Sequence, residues 1–415
     1  MKYYLVGIKG TGMSSLAKML KDNQNDVVGS DVSEYYFTVD GLNAYQIPIL
    51  SFAKENITDE YYYIISNAYN SDHVEVAEIM KRELPYSYYH DFIGKELSYH
   101  VIACAGTHGK TTTSYFLKEM LDGKCNYIIG DGEGGGYPND LLILEACEYK
   151  EHFLSYHPQW LIITNIELDH TDYYQNKKQL LKAFSKFASQ AEGILVNGDD
   201  LLARKIIHHK KLTFGFHPKN DIVIKILSKT SKGYYIKIAY EENIFLFVPY
   251  LGKHMIYDYV ASYMTLYVNE KKPKELTSHQ LPRRRLTTYH YQKAICIDDY
   301  AHHPTEIKAL LETLRLTYPE KRINVIFQPH TYERTLHFKK AFKKVLSLFD
   351  KVYLLDVFTS KREKENQHLQ KVIDKYFVSF SKIDELVFST IGKKDEIWLF
   401  LGAGSANKIL QELLK

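Results

Sequence analysis

Cysteine and tryptophan are scarce in this 415-residue chain, which has only four of one and two of the other. The cysteines (Cys104, Cys125, Cys147 and Cys296) show no C-x-x-C spacing. That argues against a disulfide framework or a thiolate metal site and for a reducing compartment. Long apolar runs are missing too. Stretches such as 101–105 and 397–403 fall far short of the roughly 20 residues a membrane-spanning helix needs. The start, Met1 to Gly7, reads as a strand entering a turn, without a signal-peptide cleavage pattern. Neither sign of charge dominates: 53 Lys and Arg against 50 Asp and Glu leave +3. This balance gives no global electrostatic reason to expect nucleic acid or an anionic membrane as partner. No internal repeat or low-complexity tract occurs. What remains is an ordinary globular composition, 45% hydrophobic and 25% charged, which excludes disorder over most of the length. The 35 tyrosines are a compositional excess that points to no particular function.

A chain this long exceeds one compact core and implies two or three domains. Residues 2–6 read as a strand, 12–22 as a helix, 27–30 and 61–66 as strands, and 74–83 as a helix. Such alternation predicts a parallel sheet with helices on both faces. A second unit begins with a strand at 101–105, turns through glycine into a helix from about Thr111, and adds buried strands at 141–144, 160–164 and 193–197. At 222–227, 234–240 and 244–249 the residues become alternating, β-branched and aromatic, predicting a small antiparallel meander. The polar stretch 269–284 reads as a linker. Beyond it, strands at 294–297, 324–327, 351–355 and 397–401 alternate with helices at 304–316 and 334–348. The expectation is three α/β domains, at 1–98, 99–281 and 282–415.

Two glycine turns follow strands and open helices. In Ala105-Gly106-Thr107-His108-Gly109-Lys110-Thr111-Thr112-Thr113, backbone N–H groups of the turn and helix start can cradle a polyphosphate. Lys110 adds positive charge there, and the Thr111 hydroxyl suits magnesium. The full phosphate-loop pattern has glycine at position 104, where this chain has Cys104; Gly106 supplies the turn instead. The other turn, Gly7-Ile8-Lys9-Gly10-Thr11-Gly12-Met13, matches a dinucleotide fingerprint only loosely, so a tight packing turn and a diphosphate site both fit it. Asp31 falls at the end of the next strand, where a nucleotide-binding acid often lies. Two polar clusters sit just after buried strands, where ligand sites of open α/β sheets collect. One places Asn165, Glu167, Asp169, His170 and Asp172 within 164–174; the other is Asp298-Asp299-Tyr300-Ala301-His302-His303-Pro304-Thr305-Glu306. A lone histidine there reads equally well as a cap. Several polar residues converging at one strand end favour a site.

The phosphate loop, Glu145-Ala146-Cys147-Glu148, the 164–174 cluster, the 298–306 run and Gln328-Pro329-His330-Thr331-Tyr332 together resemble the Mur ligases. The resemblance runs in order from Val6-Gly7 to Gly402-Ala403-Gly404, and the 298–306 run is its most specific part. It implies an ATP-dependent ligase that adds L-alanine to the lactyl carboxylate of UDP-N-acetylmuramate in peptidoglycan precursor synthesis. The implied architecture is a Rossmann-like UDP-binding domain, a central P-loop ATPase domain and a C-terminal Rossmann-like domain. Gly10, Thr11, Gly12 and Met13, with Asp31, Ser66, Asn67 and Ala68, are then expected at the UDP-sugar. Gly106 to Thr112, His254, Asp258 and Arg285 are expected at ATP, with Arg284 an alternative to Arg285. Thr111, Glu145 and His170 are expected to hold one or two magnesium ions. Asn165 is expected to position substrate. Tyr300, His302, His330 and Arg334 are expected around the muramyl carboxylate and the amino acid. Two departures stand out. The family's Gly-x-His-Asn-x-x-Asn start appears here as Gly252-Lys253-His254-Met255-Ile256-Tyr257-Asp258, and Thr331 replaces an expected arginine-like position. The resemblance also implies a cytoplasmic monomer or weak homodimer, without nucleic acid or membrane insertion. A ligase attaching a preformed peptide shares every ATP motif and is the nearest alternative. A non-catalytic binding protein is opposed by the intact Lys110, Thr111, Glu145 and His170 set, and a dinucleotide oxidoreductase by the second phosphate loop.

Overall fold

Short apolar runs become strands buried on both faces, as a parallel sheet between helical layers requires. The structure, a computed structural model, describes residues 1–97, 99–277, 280–359 and 365–415. The expected boundary after residue 98 and part of the expected linker at 269–284 fall outside those residues. The first sheet runs Ile49–Ser51, Asp26–Asp31, Lys2–Val6, Tyr62–Ile65, Tyr86–Tyr88 from edge to edge, all parallel. The strand order reverses at Lys2–Val6, so the loop leaving that strand opens into the crevice where such sheets bind ligands. Part of the tyrosine excess builds this core. Fully buried Glu75 accepts hydrogen bonds from Tyr4 Oη, Asn56 Nδ2 and Ala53 N, so the carboxylate is not orphaned.

The second sheet has ten strands, in the order Asn243–Val248, Gly233–Ala239, Ile222–Thr230, Lys211–Gly215, Gly193–Asn197, Trp160–Ile163, His100–Ala105, Leu141–Glu145, Asn126–Ile128 and Gly134–Gly135. The expected meander exists but is not separate. Ile222–Thr230 pairs parallel with Lys211–Gly215 and antiparallel with Gly233–Ala239, so the meander extends the sheet that carries the phosphate loop. In the third sheet the order is Thr287–Tyr291, Ala294–Asp299, Ile397–Leu401, Ile323–Phe327, Lys351–Leu354 and Ser381–Lys382. Only the Thr287–Tyr291 edge is antiparallel. One expectation is corrected here. The helix expected over 334–348 is two helices, Tyr332–His337 and Lys339–Leu346. Phe338 between them leaves helical geometry, and its ring packs against His303.

The first two domains interlock through backbone. Helix Thr11–Asp22 lies so close to Gly134 that a Cβ there would stand 1.9 Å from the Ser15 carbonyl oxygen. Ser15 Oγ donates to the Ile129 carbonyl at 2.8 Å, and Lys18 Nζ to that of Gly132.

Candidate active site

Strand His100–Ala105 delivers the chain into a turn that only glycine fits. Gly106 has φ +146° and Gly109 φ +84°, and a Cβ on Gly106 would stand 2.0 Å from Thr164 Oγ1. Helix Lys110–Met120 starts there without a side-chain cap, so its first N–H groups remain free for an anion. Asn165 braces this turn: its Oδ1 accepts from His108 N and its Nδ2 donates to His108 O, both at 2.9 Å. Lys110 Nζ lies 3.0 Å from buried Glu148 and donates to the Thr107 carbonyl. Burial opposes its charge, but Glu148 outweighs that and holds the ammonium protonated. Thr111 Oγ1 donates to Glu145 Oε1 at 3.1 Å, and the other Glu145 oxygen accepts from Gly130 N at 2.7 Å. His170, at φ +50°, stands 3.7 Å from Glu148. Burial lowers its pKa, leaving a neutral imidazole at neutral pH.

The central and C-terminal domains meet through charge. Arg334 donates from Nε and from its terminal nitrogen to the two oxygens of Asp169, at 2.8 and 3.0 Å, with both residues buried. Its remaining nitrogen lies 2.8 Å from His330 Nδ1. Together with His170, Asp172 and Thr331 they line a cavity of about 200 Å³. The phosphate-loop His108 sits between Glu167 at 3.2 Å and Glu306 at 3.3 Å. Burial would lower its pKa, but hydrogen bonds to the two carboxylates carry it up to about 9. Thr305 Oγ1 adds a bond to Glu167 at 2.9 Å. His302 points Nδ1 at the Tyr300 carbonyl, 3.0 Å away; burial and then Arg334 lower its pKa to about 4.

Beside the phosphate loop a second cavity, about 490 Å³, is bounded by His108, Gly109 and Thr112 on one side and by His254, Asp258 and Arg285 on the other; Leu201, Leu281 and Leu310 supply apolar wall. Of the two candidate arginines, Arg285 lines this cavity, 4.0 Å from Glu306. Arg284 turns away to Asp298 and the Gly402 carbonyl. Burial, then Arg285, brings the His254 pKa down to about 4. Asp258 is buried on helix Lys253–Val268, and Lys253 does not pair with it, lying instead over the Phe216 and Tyr257 rings. Burial raises the Asp258 pKa to about 7, against the opposing field of Arg285.

In the first domain Gly10 precedes helix Thr11–Asp22, which starts with Thr11, Gly12 and buried Met13 and lacks acidic residues in its first turn. Ser66, Asn67 and Ala68 follow the neighbouring strand, Ser66 N bonding to the Val6 carbonyl at 3.0 Å. Asp31 points inward: its two oxygens accept from Lys9 N and Val32 N at 2.7 and 2.8 Å. It shapes the loop. Gly130 N grips Glu145 and Ser15 grips Ile129, so this central-domain segment links the first domain's helix to the Glu145 carboxylate. Sequence reasoning quoted Glu148, Glu167, Asp169 and Glu306 without assigning them roles; each is set by a partner more than a dozen residues away.

Three family models cover almost the whole chain. The Mur ligase family catalytic domain matches residues 2–100, the Mur ligase middle domain 104–266, and the Mur ligase glutamate ligase domain 284–404. The chain belongs to the Mur ligase family. Among its relatives, the UDP-N-acetylmuramate–L-alanine ligase of Lactiplantibacillus plantarum is 36% identical over 421 residues, covering 98% of this chain and 96% of the relative. The enzyme of the same name from Ligilactobacillus salivarius is 35% identical over 424 residues, covering 98% and 95%. A UDP-N-acetylmuramate–alanine ligase of Thermotoga maritima superposes with a TM-score of 0.82 at 24% identity, covering 100% of this chain and 98% of that one. As in other Mur ligases the architecture is three α/β domains, and among the described residues no helix is long and apolar enough to cross a membrane.

Proposed function

We propose that this chain is an ATP-dependent ligase joining L-alanine to the lactyl carboxylate of UDP-N-acetylmuramate through an acyl phosphate. The observation that carries the reading is the segment 129–135 shared by both domains: its Gly130 holds Glu145, which also accepts from Thr111 of the phosphate loop, while the first domain's helix docks on its Ile129. One turn holds the diphosphate of the sugar nucleotide and the other the phosphates of ATP. The full-length relatives named for this reaction support that assignment.

The residues fit magnesium: a hydroxyl and a carboxylate, Thr111 and Glu145, converge as hard oxygen donors. His170, neutral and facing Glu148, is suited to a second ion. A cation held by these residues would supply positive charge to the γ-phosphate oxygens. Lys110 adds charge to the same oxygens, and Gly106 to Thr112 fix the line of attack with backbone N–H groups. The lactyl carboxylate oxygen attacks the γ-phosphorus and ADP leaves. The α-amine of alanine then attacks the acyl carbon, loses a proton, and phosphate departs with the former carboxylate oxygen. Arg334 and His330 line the small cavity, His302 lies 5.6 Å from the His330 ring with Tyr300 beside it, and these four serve the amino acid and the muramyl carboxylate. His254, Asp258 and Arg285 face the nucleotide cavity. Asn165 acts through the loop it braces. Water would destroy the acyl phosphate, so closure of the charged joint is part of the chemistry. The small cavity of about 200 Å³ favours a single small amino acid over a peptide. Four free cysteines suit a cytoplasmic enzyme. Phosphate release with ATP and magnesium, scanned across amino acids with and without UDP-N-acetylmuramate, tests the reading. Release is expected only when the sugar nucleotide and L-alanine are both present; equal rates without the sugar nucleotide would contradict it.

A further inference from the structure

Tyr89 opens the one-turn helix Tyr89–Asp91, directly after the edge strand Tyr86–Tyr88 of the first sheet. Its hydroxyl lies against the backbone of Gly12, so closely that a Cβ there would stand 2.6 Å from Oη and 2.8 Å from Cζ. Gly12 is the second residue of the twelve-residue helix Thr11–Asp22, where free N–H groups face outward from the helix start. Other phenols nearby are engaged: Tyr156 Oη lies 2.6 Å from His90 Nδ1, Tyr149 donates to Asp172 and Tyr174 to the Glu148 carbonyl. Tyr89 makes no side-chain hydrogen bond among the described residues. The ring is nonetheless fixed, edge-on to His90 at 4.8 Å, and His90 in turn stacks on His152 of the central domain at 4.2 Å. Burial, then the charges of Glu145 and Cys147, raise the phenol pKa, so Tyr89 stays a neutral donor at any working pH.

We propose that Tyr89 is a further substrate-binding residue, its hydroxyl donating a hydrogen bond to the diphosphate of the UDP-sugar, an inference that rests on the function proposed above. The position fits that role. A donor beside the second residue of the helix stands within reach of an anion held at the helix start. A neutral hydroxyl adds a bond to the diphosphate without adding charge to the crevice. The closeness of the phenol also accounts for glycine at position 12: any side chain there would push the donor away.

Calorimetric titration of UDP and of UDP-N-acetylmuramate into the full-length protein and its Tyr89→Phe variant tests this. Phenylalanine keeps the ring packing and removes only the hydroxyl. A bond to a charged group is lost, so both ligands are expected to bind about tenfold more weakly. ADP affinity should stay unchanged, the ADP titration serving as the control for an intact fold. Tyr89→Met, with similar reach and no donor, should lose as much. Unchanged UDP affinity in the variants overturns the inference, as does weakening confined to the sugar nucleotide, which would place the contact on the sugar. If the unaltered protein binds neither uridine ligand, the proposed function itself fails.

Discussion

Both glycine turns leave a strand and open a helix, but they surround their lysines differently. In the first, Lys9 turns back and donates from Nζ to the carbonyls of Val32 and Glu34, at 2.6 and 2.9 Å. Helix Thr11–Asp22 carries no acidic residue in its first turn. In the second, Lys110 Nζ donates to the Gly106 and Thr107 carbonyls of its own loop and is also paired with Glu148, which keeps it charged, with Thr111 and Glu145 alongside. Binding a diphosphate that does not react needs only N–H groups and neutral donors. Transferring a phosphoryl group needs charge placed where charge develops. On this reading the first loop holds cargo and the second does chemistry.

The sharpest break in that contrast is Lys110→Ala. It should lower kcat by about 10³-fold or more, since the charge acts on the transition state, while UDP binding at the other loop persists. A near-normal steady-state rate would reduce residues 105–113 to a structural turn.

A smaller effect is expected at Asp258. Its raised pKa of about 7 means that below this pH the side chain is a neutral acid, offering the nucleotide base one donor and one acceptor. Above it, the carboxylate only accepts. ATP affinity should therefore weaken as pH rises through about 7, by roughly fivefold, the worth of one hydrogen bond. Asp258→Asn should flatten the profile, matching the unaltered protein on the acid side and binding ATP more tightly on the alkaline side. Measuring the ATP Michaelis constant across that range for both proteins decides it; parallel profiles would place Asp258 outside base recognition.

The smallest effect belongs to Lys9→Ala. Because that amine is already committed to carbonyls, the Michaelis constant for the sugar nucleotide should change by no more than about twofold, the bonds lost being local ones of modest net worth. A tenfold rise would mean that Lys9 swings to the diphosphate and that the two loops are not so different.

The strands that bear these loops were legible because parallel strands buried on both faces read as apolar runs. The phosphate loop was legible because its glycines and lysine are contiguous. The short edge strands Ile49–Ser51 and Tyr86–Tyr88 were not, since three residues carry no period. The break at Phe338 was hidden because it depends on a ring packing against His303, 35 residues earlier. Within the site, sequence favoured Arg285 with Arg284 as the alternative, and the pairing of Arg284 with Asp298 separates them. Asn165 read as a substrate contact, yet its amide is committed to His108. Tyr89 gave no signal because its meaning lies in its distance from Gly12, 77 positions away.

The central claim, that both loops serve one acyl phosphate, is tested most directly by isotope transfer. UDP-N-acetylmuramate labelled with oxygen-18 in the lactyl carboxylate is turned over with ATP and L-alanine, and the released phosphate is examined by mass spectrometry. Attack of that carboxylate on the γ-phosphorus leaves one labelled oxygen in each phosphate formed. Phosphate free of label, with all of it retained in the sugar nucleotide product or lost to water, would contradict the account.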